Sequence, residues 1–400
     1  MTTSQNIDLM ELNQFVNGEE DNLFAELRQS DPVHWNDEPG GEGFWSLTRY
    51  EDVKAAADNA TTYSSAQGTQ IVSRRVEGHG PGSLHNMDDP EHAKLRRLTA
   101  PELRPAKVRD WQEVIDQVVG ELLDDAVALG EFDFVETVAK QLPMRIVAEV
   151  LGVPHADAPK MVDWANRMQS AEAPANADPA AMQAARDEAL EYFHDLTEKR
   201  RREPQRDLIS VLAHATKDGV PLTWEELAAY YIVITAAGNE TTRFLTTGGV
   251  LALGEDRARW ARLRDEPEVL VPAVEEMFRY VSPLSCMRRT LTEDVVVRGQ
   301  EMRAGDKVVL WFSSANWDES VFDRPREYVM DRTPNEHLSF GWGVHFCLGA
   351  HLARAEVRTL FGETIKRGLR FDLAGDPVRL RHNLFRGWTQ APVRVAPIAG

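Results

Sequence analysis

The chain has 400 residues, 42% hydrophobic and 27% charged, with a mean hydropathy of −0.40. This is the composition of a soluble globular protein, and no apolar run approaches the roughly 20 residues that span a bilayer. A net charge of −19 argues against general nucleic-acid binding, and two cysteines without a CxxC pair exclude a disulfide framework and a cysteine-rich zinc site.

The N-terminal "MTTSQNIDLMELNQF" has neither a basic start nor an apolar core, so no signal peptide or membrane anchor is expected and the setting is cytoplasmic. "EEDNLFAELRQS" carries apolar residues at helical spacing, and "PVHW" and "GFWSLT" read as short strands. In "DDPEHAKLRRL", His92 and Arg96 stand four apart, on one helical face. From His92 to Arg109 six basic residues (Lys94, Arg96, Arg97, Arg104, Lys107, Arg109) face one acid, Glu102. "WQEVIDQVVGELLDDAVALG" and "AARDEALEYFHDLTEKRRR" are further helices, and "SAEAPANADPA" at 170–180 reads as an exposed connection between them.

"TWEE" at Thr223 is a capping box with Glu226, and the pattern then runs without Pro to about Gly254. So long a helix crosses the centre of a molecule. In its middle "AAGNETT" places Gly, Asn and Glu inside an apolar stretch, where Gly invites close approach or a kink and a buried Glu needs a partner or a function. Short strands follow at "DVVVRG", "KVVLWF" and "PVRVAP". The expected fold is mainly α with small β-sheets at its margin, one domain over residues 1–400, and a monomer.

"FGWGVHFCLG" at 340–349 sets Cys347 between glycine turns and the helical pattern "LGAHLARAEVRTLFGETIKRGL". A sulfur near a helix N-terminus meets unpaired N–H groups and the helix dipole, which lower a thiol pKa. A thiolate serves as nucleophile or metal ligand. His345 is close enough to act as a base, so spacing leaves both open.

Phe340, Gly341, Gly343, His345, Cys347 and Gly349 match, position for position, the F-G-x-G-x-H-x-C-x-G loop of the cytochrome P450 monooxygenases, which the chain resembles from about residue 33 to 395. The resemblance implies that Cys347 is the axial thiolate and sole protein metal ligand of a haem iron, pushing electron density toward O–O cleavage. The CxxCH signature of covalent attachment is absent, so the implied cofactor is non-covalent haem b, with O2 as co-substrate. The family's Glu-x-x-Arg corresponds to Glu276 and Arg279, the latter 68 residues before Cys347, and its structural partner to Arg332. His92, Arg96, Arg289 and His345 match contacts to the haem propionates, where arginine's planar fork suits a carboxylate. "AGNETT" matches the segment above the haem. The resemblance implies that Ala237 borders the cofactor there, that Gly238 opens a groove for dioxygen, and that Glu240 and Thr241 form the acid–alcohol pair that delivers protons without flooding the site. Many relatives have Asp where Glu240 stands.

The implied activity is hydroxylation of an apolar terpenoid, steroid or methyl-branched lipid, with a polyketide or other secondary metabolite second. Val233, Ala236, Ala237, Ser285, Cys286 and Leu384 are the expected pocket residues, with the loop at 64–84 also contributing. No G-x-G-x-x-G follows a strand, so electrons must come from outside; the resemblance implies a ferredoxin and its NAD(P)H-linked reductase, which the basic run together with Arg354 and Arg358 could steer. A peroxide-driven peroxygenase would normally lack the acid–alcohol pair, and a haem-based sensor needs no proton relay.

Overall fold

The computed structural model describes residues 7–72, 83–168 and 179–398. It is mostly helical, and the elements that position the site are, in chain order, helices α1 (Glu20–Ser30), α2 (Glu91–Thr99), α3 (Gln112–Leu129), α4 (Gln141–Leu151), α5 (Pro179–Arg202), α6 (Trp224–Gly254), α7 (Leu270–Val281) and α8 (Ala350–Lys366). The strands are β1 (Val33–Asn36), β2 (Phe44–Leu47), β3 (Tyr63–Ser64), β4 (Glu131–Asp133), β5 (Cys286–Leu291), β6 (Lys307–Trp311), β7 (Leu369–Leu373) and β8 (Pro392–Pro397). Among the described residues no helix is long and apolar enough to cross a membrane.

The helices expected over residues 19–30, 111–130 and 184–202 form as α1, α3 and α5, the last beginning earlier, at Pro179. The rest of the expected 170–180 connection lies outside the described residues. One strand escaped the sequence reading. β5 lies inside "SPLSCMRRTLTED" and is the fourth strand of a five-stranded sheet of order β1-β2-β6-β5-β3. Its alternation is obscured because both arginines are buried. β5 pairs antiparallel with β6, Arg289 opposite Val308 and Met287 opposite Leu310, while β6 runs parallel to β2. A second sheet of order β7-β8-β4 holds the end of the chain against residues 131–133.

α6 spans 31 residues, about 46 Å at 1.5 Å per residue. Its capping box is formed: the Glu226 amide donates to Thr223 Oγ1 and the Thr223 amide to Glu226 Oε2. Most of the helix is buried. Gly249 lets neighbours approach closely, since a Cβ there would fall 2.9 Å from both Met277 Sδ of α7 and Phe361 Cζ of α8.

Glu276 and Arg279 of α7 are fully buried and doubly hydrogen-bonded at 2.8 Å, and Arg332 Nε donates to both Glu276 oxygens at 3.0 Å. Arg279 also donates to the carbonyls of Asn316, Pro325 and Glu327, and the Val329 amide and Asn335 side chain donate to Glu276. One buried ion pair therefore organises the irregular chain between β6 and the cysteine loop. Removing one member of a buried pair strands the other's charge, typically at 3–5 kcal/mol. Glu276→Ala is expected to lose stability of that order, read as a lower urea midpoint by circular dichroism.

Candidate active site

The cysteine loop is built by two glycine turns. Gly341 and Gly343 both have φ +68°, and a Cβ at 343 would fall 2.7 Å from the Ala57 carbonyl, so only glycine fits there. The Cys347 amide closes the loop on the Phe340 carbonyl at 2.8 Å, and Phe340 packs on Phe278 of α7 with ring centroids 4.5 Å apart. Gly349 is the N-cap of α8, and its amide points to the Cys347 sulfur.

Cys347 has solvent-accessible surface although protein surrounds it closely enough to desolvate the thiol. Ala237, halfway along the buried α6, is likewise accessible. Accessible surface on a thiol so enclosed marks a recess, a space open to the cysteine loop. Enclosure pushes the Cys347 thiol up, against the opposing pull of the Gly349 amide, Arg96 and Arg354. The direction is opposite to the depression expected from the helix terminus.

Around this space gather the basic residues expected from the sequence. Arg96 of α2 donates to the Phe346 carbonyl at 2.5 Å, and the His92 and His345 rings lie 4.4 Å apart. Burial, then Arg289, His92 and Arg96, push His345 down to about 3. Burial also pushes Arg289 of β5 down to about 10. Asp89 takes His92 Nδ1 at 3.1 Å, whereas the buried Nε2 has no hydrogen-bond partner. Among the described residues no carboxylate forms an ion pair with Arg96, Arg289 or His345. Two arginines and two histidines enclosed in this way fit a ligand with acidic groups at one edge, as the propionates of a haem would supply. Ser65 belongs to the expected 64–84 loop, but its contact with His345 was not foreseen: its hydroxyl lies 3.2 Å from His345 Nε2 across 280 residues.

On α6, Thr241 is half-buried and its hydroxyl donates to the Ala237 carbonyl at 3.2 Å. Glu240 is buried, and its Oε1 lies 3.7 Å from Nη2 of Arg243, a residue the sequence reading passed over. At Gly238 a Cβ would fall 3.0 Å from Val147 of α4, so the missing side chain admits that helix rather than opening the groove expected there.

The expected pocket residues divide. Val233 and Ala236 are half-buried beside the accessible Ala237, and Ser285 is buried. Cys286 and Leu384 instead sit in a core cluster with Leu9, Phe24 and Trp311. The two-residue period of β5 turns Cys286 away from the face that carries Met287 and Arg289. Burial pushes the Cys286 thiol far up, which makes it inert. Met287 and Phe385, their chain neighbours, keep accessible surface. Part of the 64–84 loop lies outside the described residues.

Residues 127–379 match the cytochrome P450 family. The chain is 37% identical to a methyl-branched lipid omega-hydroxylase of Mycobacterium tuberculosis, covering 93% of this chain and 90% of that one. It is 34% identical to a steroid C26-monooxygenase of Rhodococcus jostii, over 91% and 79% of the two chains. A solved cytochrome P450 of Mycobacterium marinum in complex with pseudoionone superposes with a TM-score of 0.88 at 33% identity, over 94% and 95% of the chains. The chain belongs to the cytochrome P450 family, and it is accordingly a haem-thiolate oxidoreductase of the monooxygenase class.

Arg289→Ala is expected to weaken haem retention by removing a buried cation from the propionate cluster. The ratio of Soret to protein absorbance after passage over apomyoglobin checks it; a parental ratio would remove Arg289 from the cofactor contacts.

Proposed function

We propose that the protein hydroxylates an apolar terpenoid, steroid or methyl-branched lipid, using haem b ligated by Cys347, O2, and electrons delivered by a ferredoxin and its reductase. When bound, the haem supplies the redox chemistry that reduces dioxygen and attacks a C–H bond. The chain's own residues hold it, exclude water and move protons. The single observation that carries the reading is the accessible Cys347 in its glycine-turned loop, with Arg96 close to the sulfur and His92, Arg289 and His345 gathered beside it. His92, Arg96, Arg289 and His345 orient the propionate edge. Val233, Ala236, Ala237, Met287 and Phe385 offer hydrocarbon and no formal charge, which suits an apolar substrate. The names of the relatives, acting on steroids and methyl-branched lipids, support the same class.

Thr241 and Glu240 divide the proton work. The Thr241 hydroxyl, anchored on the Ala237 carbonyl, can hold a water at the cleft, and the buried Glu240 carboxylate can pass a proton toward it. A titration with testosterone, linalool and phytanic acid tests the substrate class. At least one should convert the haem from low to high spin, and none doing so would set the class aside. Thr241→Ala should keep that spin-state change yet lower product per NAD(P)H several-fold, with the balance appearing as peroxide. Glu240→Gln should instead slow turnover. Unchanged ratio and rate in both would remove the pair from the mechanism.

The proposed electron entry lies on the side of Cys347, where residues 105–108 pack against α8. The basic run is partly neutralised there. Lys94 pairs with Glu91 and Asp218, Lys107 with Glu102, and Arg354 and Arg358 both with Glu275. Arg97, Arg104 and Arg109 remain exposed and form no ion pair among the described residues. Reversing Arg104 and Arg109 to Glu should slow reduction by ferredoxin at low salt and less so at high salt, because rim charges act on association rate. Stopped-flow reduction at two ionic strengths is the measurement; equal rates for parent and variant at low salt would place the docking surface elsewhere.

A further inference from the structure

A line of packed groups joins the turn at residues 384–387 to Glu240. Phe385 keeps accessible surface, and its ring stands 5.9 Å from that of the fully buried Phe244. Gly387 lets Phe244 in: a Cβ at 387 would fall 2.0 Å from Phe244 Cδ1. The Arg243 guanidinium lies 4.4 Å over the Phe244 ring, within cation–π range. Its Nη2 then meets Glu240 Oε1 at 3.7 Å along the same helix, with side-chain exposures of 3% and 5%.

We propose that Arg243 is a positioning residue for Glu240, and that the turn carrying Phe385 sets its placement through Phe244. The proposal rests on the reading of Glu240 as the relay acid. A planar guanidinium stacked on a ring keeps its tilt only while the ring does. The ring is fixed on one side by the Gly387 backbone and on the other by Phe385, one of the proposed pocket residues. A substrate pressing on Phe385 therefore acts on the far end of a rigid train, and a small slide at Phe244 changes the contact between Arg243 and the carboxylate. In a desolvated site such a contact is steeply distance-dependent. The acid is thereby brought into its working position by occupancy of the pocket.

The first test needs no turnover. Thermal unfolding of the haem-loaded parent, Glu240→Gln, Arg243→Gln and the double variant forms a cycle. Each single change should lower Tm, and the double variant should lose less than the sum, because a buried charge without its partner is worse than losing both. Strict additivity would overturn the pairing. The second test is the solvent isotope effect on turnover of whichever of testosterone, linalool and phytanic acid gives the largest spin-state change. Arg243→Gln should raise it and slow turnover with the spectral dissociation constant unchanged, and Arg243→Lys should recover part of the loss. Phe385→Leu should raise the isotope effect in the parent but not in the Arg243→Gln background. If Glu240→Gln itself turns over like the parent, the relay reading falls and this proposal with it. If Glu240→Gln is impaired while Arg243→Gln keeps the parental isotope effect, only this proposal is overturned. Should Arg243→Gln fail to fold, Phe244→Leu reads the same link: a raised isotope effect supports it, and a parental one overturns it.

Discussion

Everything near the cysteine depends on one buried carboxylate satisfying two arginines. Glu276 accepts from Arg279, Arg332, Asn335 and the Val329 amide, and Arg279 in turn holds three carbonyls of an irregular segment. A stretch without regular secondary structure cannot pair its own backbone groups, so it needs side chains to do so. The second tie is Asn316, which accepts from the Leu338 amide at 2.6 Å and donates to Ser282 and Ser339. Together these fix where residues 338–339 enter the glycine turns. The position of Cys347 is thus set by charge pairing far from the sulfur rather than by the helix that follows it.

The molecule keeps two kinds of buried charge apart. Arg279, Arg332 and Arg200 are matched by carboxylates within the chain. Arg289 forms no ion pair with a carboxylate among the described residues; burial lowers its pKa while Asp88 pulls the other way, and burial followed by Arg289 pushes the neighbouring His345 down. α2 reaches the cluster because Tyr230 of α6 donates its hydroxyl to the Leu95 carbonyl, between His92 and Arg96.

Much of this was legible in the sequence because the chemistry is local. The glycine turns, the Glu-x-x-Arg spacing, the capping box and the polar break in α6 each sit within a few consecutive residues, and the structure brings His92, Arg96, Arg289 and His345 together as their register with the cysteine loop implied. What was not legible depends on contacts between distant segments. Ser65 meets His345 across 280 residues, and Gly238 proved to face Val147. Cys286 and Leu384 were placed at the pocket because their segments lie there, but which face of a strand a side chain takes is decided by pairing partners. The basic run overstated the exposed charge, since Glu275 and Asp218, far away in sequence, neutralise part of it.

β5 gives those pairing partners a further meaning. Arg289 leaves one face of the strand toward the histidines. Arg288 leaves the other and donates to the Gly68 carbonyl, while its own amide donates to Thr69 at 2.8 Å. Two consecutive arginines thus face two unlike surroundings, one the histidine cluster and the other the backbone of a neighbouring loop. Sliding the strand by a single position would exchange them, sending a guanidinium into the apolar cluster around Trp311 and a thiol toward the cations. The five matched pairs between Lys307–Trp311 and its partner are therefore an addressing system, deciding which of two identical side chains faces the histidines and which the loop.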